Sequence, residues 1–124
     1  MKFSTTALFL SFTSLLILIL GRNILPEGFF YDSWTNIWAV PVASFLFIYL
    51  KQILKILIQI KICFFTTLGF VLYEFTQKTL PWTTFDIKDI YASFIGFSLT
   101  VIIILITYLL RKHIESQETR NFIN

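Results

Sequence analysis

The chain is poor in the residues from which most catalytic centres are built. Cys63 is its only cysteine and His113 its only histidine, which leaves no parts for a disulfide framework, a Cys/His zinc site or a Cys-His nucleophilic pair. Any metal would have to rely on oxygen ligands, and the sequence points to no metal site and no cofactor. Four glycines and three prolines are scattered along 124 residues, so there is no Gly-rich phosphate loop, no linker, no low-complexity tract and no internal repeat. Charge is scarce as well: Asp, Glu, Lys and Arg make up 14% of the chain, where a soluble domain carries about 25%. The formal charge of +3 comes from ten Lys and Arg, but these flank apolar segments and form no basic stripe with base-stacking aromatics, which argues against a nucleic-acid partner.

What the chain has instead is long uncharged runs. Phe3 to Gly21 is nineteen residues between Lys2 and Arg22, enough for a helix rising about 1.5 Å per residue to cross a hydrocarbon core of about 30 Å. The end of this run lacks the small-x-small pattern of a cleaved signal peptide, so we read it as a retained first span. Ser33 to Leu50 gives a second span, in which Pro41 removes a backbone donor and predicts a kink or an early turn. In the stretch that follows, Lys51, Lys55 and Gln59 recur every four residues and predict an interfacial helical face. A third span runs over residues 56–74, with Lys61 able to snorkel to the headgroups. The fourth, residues 90–110, is the cleanest, and the polar tail 111–124 is expected to fray from about Ile114. The fold class is all-α, a four-transmembrane-helix bundle in a single domain spanning residues 1–124, with membrane lipids as the surrounding partner.

Positive charges orient the bundle. Lys2, Lys51, Lys55, Lys61, Arg111, Lys112 and Arg120 fall on one side, against Arg22, Lys78 and Lys88 on the other, which predicts both termini in the cytoplasm. Trp34, Trp38 and Trp82, with Phe29, Phe30, Tyr31, Tyr73 and Phe85, then form an aromatic belt at the outer interface. On the same side, the segment from Tyr73 to Asp89 holds three of the chain's seven carboxylates, Glu74, Asp86 and Asp89.

Two readings of those acids stand side by side. In an antiparallel hairpin of the last two spans, Glu74 ends one helix and Asp89 begins the next at similar depth. Gln77 follows Glu74 at helical spacing, and Asp89, Ser93 and Gly96 share a face on which Gly96 admits a close neighbour. That is a polar pocket. Alternatively, Asp86 is an N-cap with Asp89 in the first turn, and Glu74 pairs with Lys78 at i,i+4 spacing. Cys63 and the hydroxyls Ser11, Thr13, Ser14, Thr66 and Thr67 read as packing residues, and His113 as part of the basic flank.

The run Glu74-Phe75-Thr76-Gln77, followed by Phe85-Asp86-Ile87-Lys88-Asp89-Ile90-Tyr91-Ala92-Ser93-Phe94-Ile95-Gly96, resembles the signature of the VanZ-like family of small bacterial membrane proteins. That signature is Glu-x-x-Gln at the end of one helix, an Asp-rich loop, then Asp-x-x-x-Asn-x-x-Gly opening the last helix. Glu74, Gln77, Asp86, Asp89 and Gly96 match it. Ser93 stands where the family usually has Asn, and Thr83 where an Arg commonly precedes the acids. The resemblance spans about residues 56–110 and implies a multi-pass protein of the bacterial inner (plasma) membrane with a role at the cell envelope. The family takes its name from a member linked to glycopeptide (teicoplanin) resistance.

The leading expectation is a binding or accessory protein. Its ligand-binding residues are Glu74, Gln77, Asp86, Asp89 and Ser93, with Gly96 for helix packing, and its ligand a polar headgroup or envelope precursor. The alternatives are an enzyme using the paired carboxylates as general acid and base on a lipid-linked substrate, for which no nucleophile is evident, and a small oligomeric transporter or channel.

Overall fold

A computed structural model describes the backbone of residues 3–80 and 84–123, and the side chains of residues 5–80 and 84–118. The expectations placed on Lys2, Trp82, Thr83 and the Arg120 side chain lie outside the described residues. Four helices account for the described secondary structure: α1 (Phe3–Ile24), α2 (Phe29–Leu50), α3 (Ile56–Gln77) and α4 (Ile87–Ile123). Each is long and apolar enough to cross a membrane, the architecture of a multi-pass membrane protein.

Burial runs opposite to that of a water-soluble bundle. Among the described residues nine polar or charged side chains are buried against eight hydrophobic ones, while Phe9, Phe12, Leu57 and Phe65 are largely exposed. Lipid can cover such apolar groups, so the helix contacts fall to small and polar residues. Ser11 shows this directly: its Oγ donates to the Val42 carbonyl across the α1–α2 contact at 3.0 Å. Thr13 and Thr67 instead bond back to Phe9 and Cys63 of their own helices.

α2 is the centre of the bundle and packs against each of the other three helices, and α3 also packs against α4. Pro41 lies inside it. With no N–H at residue 41, the Ile37 carbonyl four residues earlier loses its regular α-helical donor. α4 arrives at that point: a Cβ built on Gly96 would stand 2.3 Å from the Ile37 oxygen and 3.1 Å from Val40 Cβ. A glycine hydrogen therefore faces the freed carbonyl, the arrangement of a weak Cα–H···O contact. On another face of α2, the Trp34 indole lies against Gly21 of α1. Its Nε1 donates to the carbonyls of Ile17 (3.2 Å) and Leu18 (3.1 Å).

Several expected boundaries move. The second helix begins at Phe29, not Ser33, and α1 and α3 run on to Ile24 and Gln77. Charge ends an uncharged run but does not end a helix, and Asp32 in the first turn of α2 sits where the helix dipole favours a carboxylate. Lys51 and Lys55 do not share a helical face with Gln59. Lys51 and Gln52 turn the chain, Gln52 with a left-handed φ of 53°, and α3 starts only after Lys55. Gln59 is buried and donates its Nε2 to the Ile53 carbonyl at 2.8 Å, holding the connection against α3. The tail does not fray at Ile114, since α4 continues to Ile123. Its Arg111, Lys112 and Glu115 stand at i,i+3 and i,i+4 spacings that support a helix beyond the apolar run.

The two glycines Gly96 and Gly69 make opposite predictions. Gly96→Leu drives a side chain into the α2 backbone and should destabilise the protein by about 3 kcal/mol, the upper end of ordinary overpacking. A Cβ at Gly69 meets nothing within 4 Å, so Gly69→Leu should leave stability unchanged or slightly raised. Thermal unfolding in detergent, followed by circular dichroism, checks both; equal midpoints for the two variants would contradict the α2–α4 contact.

Candidate functional site

The end of the bundle that carries the α1–α2 and α3–α4 connections is acidic. Glu27, Asp32, Glu74, Asp86 and Asp89 lie there against Arg22, Lys78 and Lys88. Three helices contribute polar side chains to its interior.

Glu74 comes from the last turn of α3. Although it is a carboxylic acid near a helix end, it is only 5% exposed. Its Oε1 accepts from Gln77 Nε2 at 3.3 Å, and its Oε2 is buried with no hydrogen-bond partner among the described residues. Asp89 and Asp86 are near enough for their charges to act on it. The expected Glu74–Lys78 ion pair is not formed. Lys78 follows the end of α3, and its Nζ lies over the rings of Phe85 and Phe75, 4.2 and 5.6 Å from their centroids. The rings are themselves 6.0 Å apart, so a cation–π contact clasps the α3–α4 connection and directs the ammonium away from the acid.

Asp86 and Asp89 begin α4 and differ in role. Asp86 immediately precedes the helix, and its Oδ1 accepts the backbone N–H of Lys88 at 2.9 Å. This is an N-cap bond to the second helical residue. Asp89, in the first turn, has the Asn36 side chain as a polar neighbour and feels the charges of Asp86, Asp32 and Lys88. Ser93 is buried, and its hydroxyl donates to the Asp89 carbonyl at 2.9 Å. That bond occupies its proton within α4 and leaves only acceptor capacity facing the interior. Gly96, one turn further on, brings α2 in.

The contribution of α2 did not emerge from the sequence reading. Asn36 reaches Asp89, and Ser33 is fully buried with its Oγ lacking a partner among the described residues. Ser33 lies one turn from Ile37, on the face that meets α4. A signal was available: Ser33, Ile37, Pro41, Ser44 and Ile48 recur at spacings of three and four along α2, and all are buried. Such a stripe of mixed serine and aliphatic residues marks the helix with the most neighbours. Further along it, Ser44 Oγ has no conventional hydrogen bond and its polar neighbour is the thiol of buried Cys63. Cys63 is a packing residue.

Trp34 packs in the α1–α2 contact, where its N–H finds two carbonyls. His113 lies far along α4 and is exposed.

The arrangement can do one thing well. It presents hydrogen-bond acceptors, among them one buried carboxylate oxygen without a donor, and its nearest lysines are turned to aromatic rings or held at the rim. No group of three or more His, Cys, Asp or Glu side chains among the described residues is placed to hold a metal ion. A donor-bearing or cationic group fits this chemistry, because a buried carboxylate needs a donor or a counter-charge.

Substitutions at two positions separate structural from recognition roles here. Asp86→Ala should lower stability by about 1 kcal/mol through loss of the cap, and Asp86→Ser should restore most of it. Glu74→Met should raise stability by about 1 to 3 kcal/mol, because it removes a buried, half-satisfied acid. Both are read as unfolding midpoints in detergent; a fall in the Glu74→Met midpoint would make the carboxylate a structural requirement. Compared with protein-family models, with curated proteins and with solved structures, the chain matches none.

Proposed function

We propose that the chain is a binding or accessory protein of the bacterial inner membrane, VanZ-like in type, with both termini cytoplasmic. Its acidic end faces outward and recognises a polar headgroup or envelope precursor. The observation that carries the reading is the Glu74 carboxylate, buried beside Asp89 with one oxygen unpartnered. A carboxylate kept in this state lowers stability, and such a group is retained where a ligand supplies the missing donor.

The roles follow from the geometry. Glu74 and Asp89 accept hydrogen bonds from the ligand or neutralise its charge. Gln77 sets the direction of the Glu74 carboxylate as its donor, and Asn36 is the polar neighbour that α2 brings to Asp89. Asp86 fixes where α4 begins and so where Asp89 stands. Two further lines support the reading: the order of Glu-x-x-Gln, Asp-rich loop and Asp-to-Gly helix opening, and the excess of Lys and Arg toward the opposite end of the bundle.

Expression of the chain in its host should alter an envelope-linked phenotype, susceptibility to glycopeptides being the first to measure. Glu74→Gln and Asp89→Asn should each abolish that effect with the amount of protein in the membrane unchanged. Full activity in both variants would sink the site assignment.

A further inference from the structure

Beside the acidic end lies a feature that the polar residues leave unused. α2 and α3 diverge enough to open two cavities that meet at Thr66. One, of about 350 Å³, is lined by Phe47, Ile62, Phe65 and Thr66. The other, of about 440 Å³, is lined by Ala43, Thr66, Gly69, Phe70 and Tyr73. Together they make an apolar groove whose floor is kept open by Ala43 and by Gly69, where nothing lies within 4 Å of a Cβ position. From Ile62 to Tyr73 the groove is about 16 Å long at a helical rise of about 1.5 Å per residue, close to half of a hydrocarbon core of about 30 Å. Its upper end, at Tyr73, lies at the depth of Glu74, which stands on the neighbouring, buried face of α3 with Cys63 and Thr67.

The groove therefore ends at the depth where the acids begin, apolar for about one leaflet and then acidic. This matches an amphiphile. The head must bring donors and positive charge, because Glu74 Oε2 lacks a donor and the carboxylates of Asp89, Asp86 and Asp32 stand in the same cluster. Two of the three cations of this end are engaged elsewhere, Arg22 with Thr35 Oγ1 at 3.3 Å and Lys78 on Phe85, and only Lys88 acts on the cluster, through Asp89. Resting on the binding reading above, we infer that the ligand is a membrane lipid whose headgroup carries a primary ammonium. Its N–H groups meet Glu74 and Asp89 while one acyl chain lies in the α2–α3 groove. A phosphoglycerol head of equal size is excluded, since it brings net negative charge and no cation to an acidic cluster. A trimethylated ammonium brings the charge without an N–H to donate.

The test uses the full chain reconstituted in phosphatidylcholine nanodiscs. Each sample contains a trace of a lipid with a diazirine in one acyl chain and an ethanolamine, choline or glycerol phosphate head. Photolysis followed by peptide mapping should show the ethanolamine lipid labelling the α3 segment Gly69–Tyr73 about tenfold more than the other two, the ratio expected of one charge-assisted hydrogen bond. Glu74→Gln and Asp89→Asn should bring the three headgroups to parity. Gly69→Leu, which fills the groove and keeps the fold, should remove labelling of this segment with the carboxylates intact. Equal labelling by all three headgroups in the unaltered protein overturns the inference, as does a preference that survives both carboxylate variants. If the headgroups label alike while Glu74→Gln still abolishes the envelope phenotype, the ammonium lipid is wrong and the polar pocket stands. If both carboxylate variants keep the phenotype, the pocket itself falls.

Discussion

The contact between the Ile37 carbonyl and Gly96 sets the rest of the bundle. A proline inside a membrane helix leaves one carbonyl without its N–H, and in hydrocarbon no water can replace it. Here the chain brings a second helix so close that a glycine is the only residue its backbone can tolerate at the crossing. Everything at the acidic end hangs from that crossing. It sets the depth at which Asp89 and Ser93 stand on α4 relative to Ser33 and Asn36 on α2, and it places the start of α4 beside the end of α3. The acids are near one another because two backbones meet two turns below them.

The second organising fact is the exchange of inside and outside. With lipid covering Phe9, Phe12 and Phe65, the interior is free to hold serines, a glutamine and a glutamate. Some of the buried hydroxyls bond their own helix, as Thr67, Ser93 and Thr100 do, and so are quiet packing groups. Ser33, Trp38 and Ser44 also have a buried polar atom without a partner among the described residues, but of these four only Glu74 is an acid. Burial alone thus does not mark the candidate site; an unsatisfied buried carboxylate does.

The four helices were legible because an uncharged run of membrane length permits little else. Their ends were less so: Asp32 lies within α2 and Arg111 within α4, since a helix persists where charges suit its dipole or one another. Glu74, Gln77, Asp86 and Asp89 could be picked out as polar residues at the edge of apolar runs, and Asp86 could be seen as a cap from its place before Ile87. Which acid was capped and which was buried unsatisfied could not be read, because that depends on where Lys78 turns. Nor could the parts played by Ser33 and Asn36. They lie some forty to fifty residues before the acids, and only the α2–α4 crossing brings them in. The period-four pattern of Lys51, Lys55 and Gln59 misled for a related reason: spacing implies a shared face only when one helix covers it, and here a turn intervenes.

α1 joins the bundle through α2, and this has a consequence for how the protein is made. Helices enter the bilayer in chain order, so the first pair can settle as a hairpin while the last is still being synthesised. Throughout that interval the Ile37 carbonyl faces lipid without a partner, and the seam intended for α4 stands open. The incomplete chain therefore carries a polar blemish in its middle that the finished one hides.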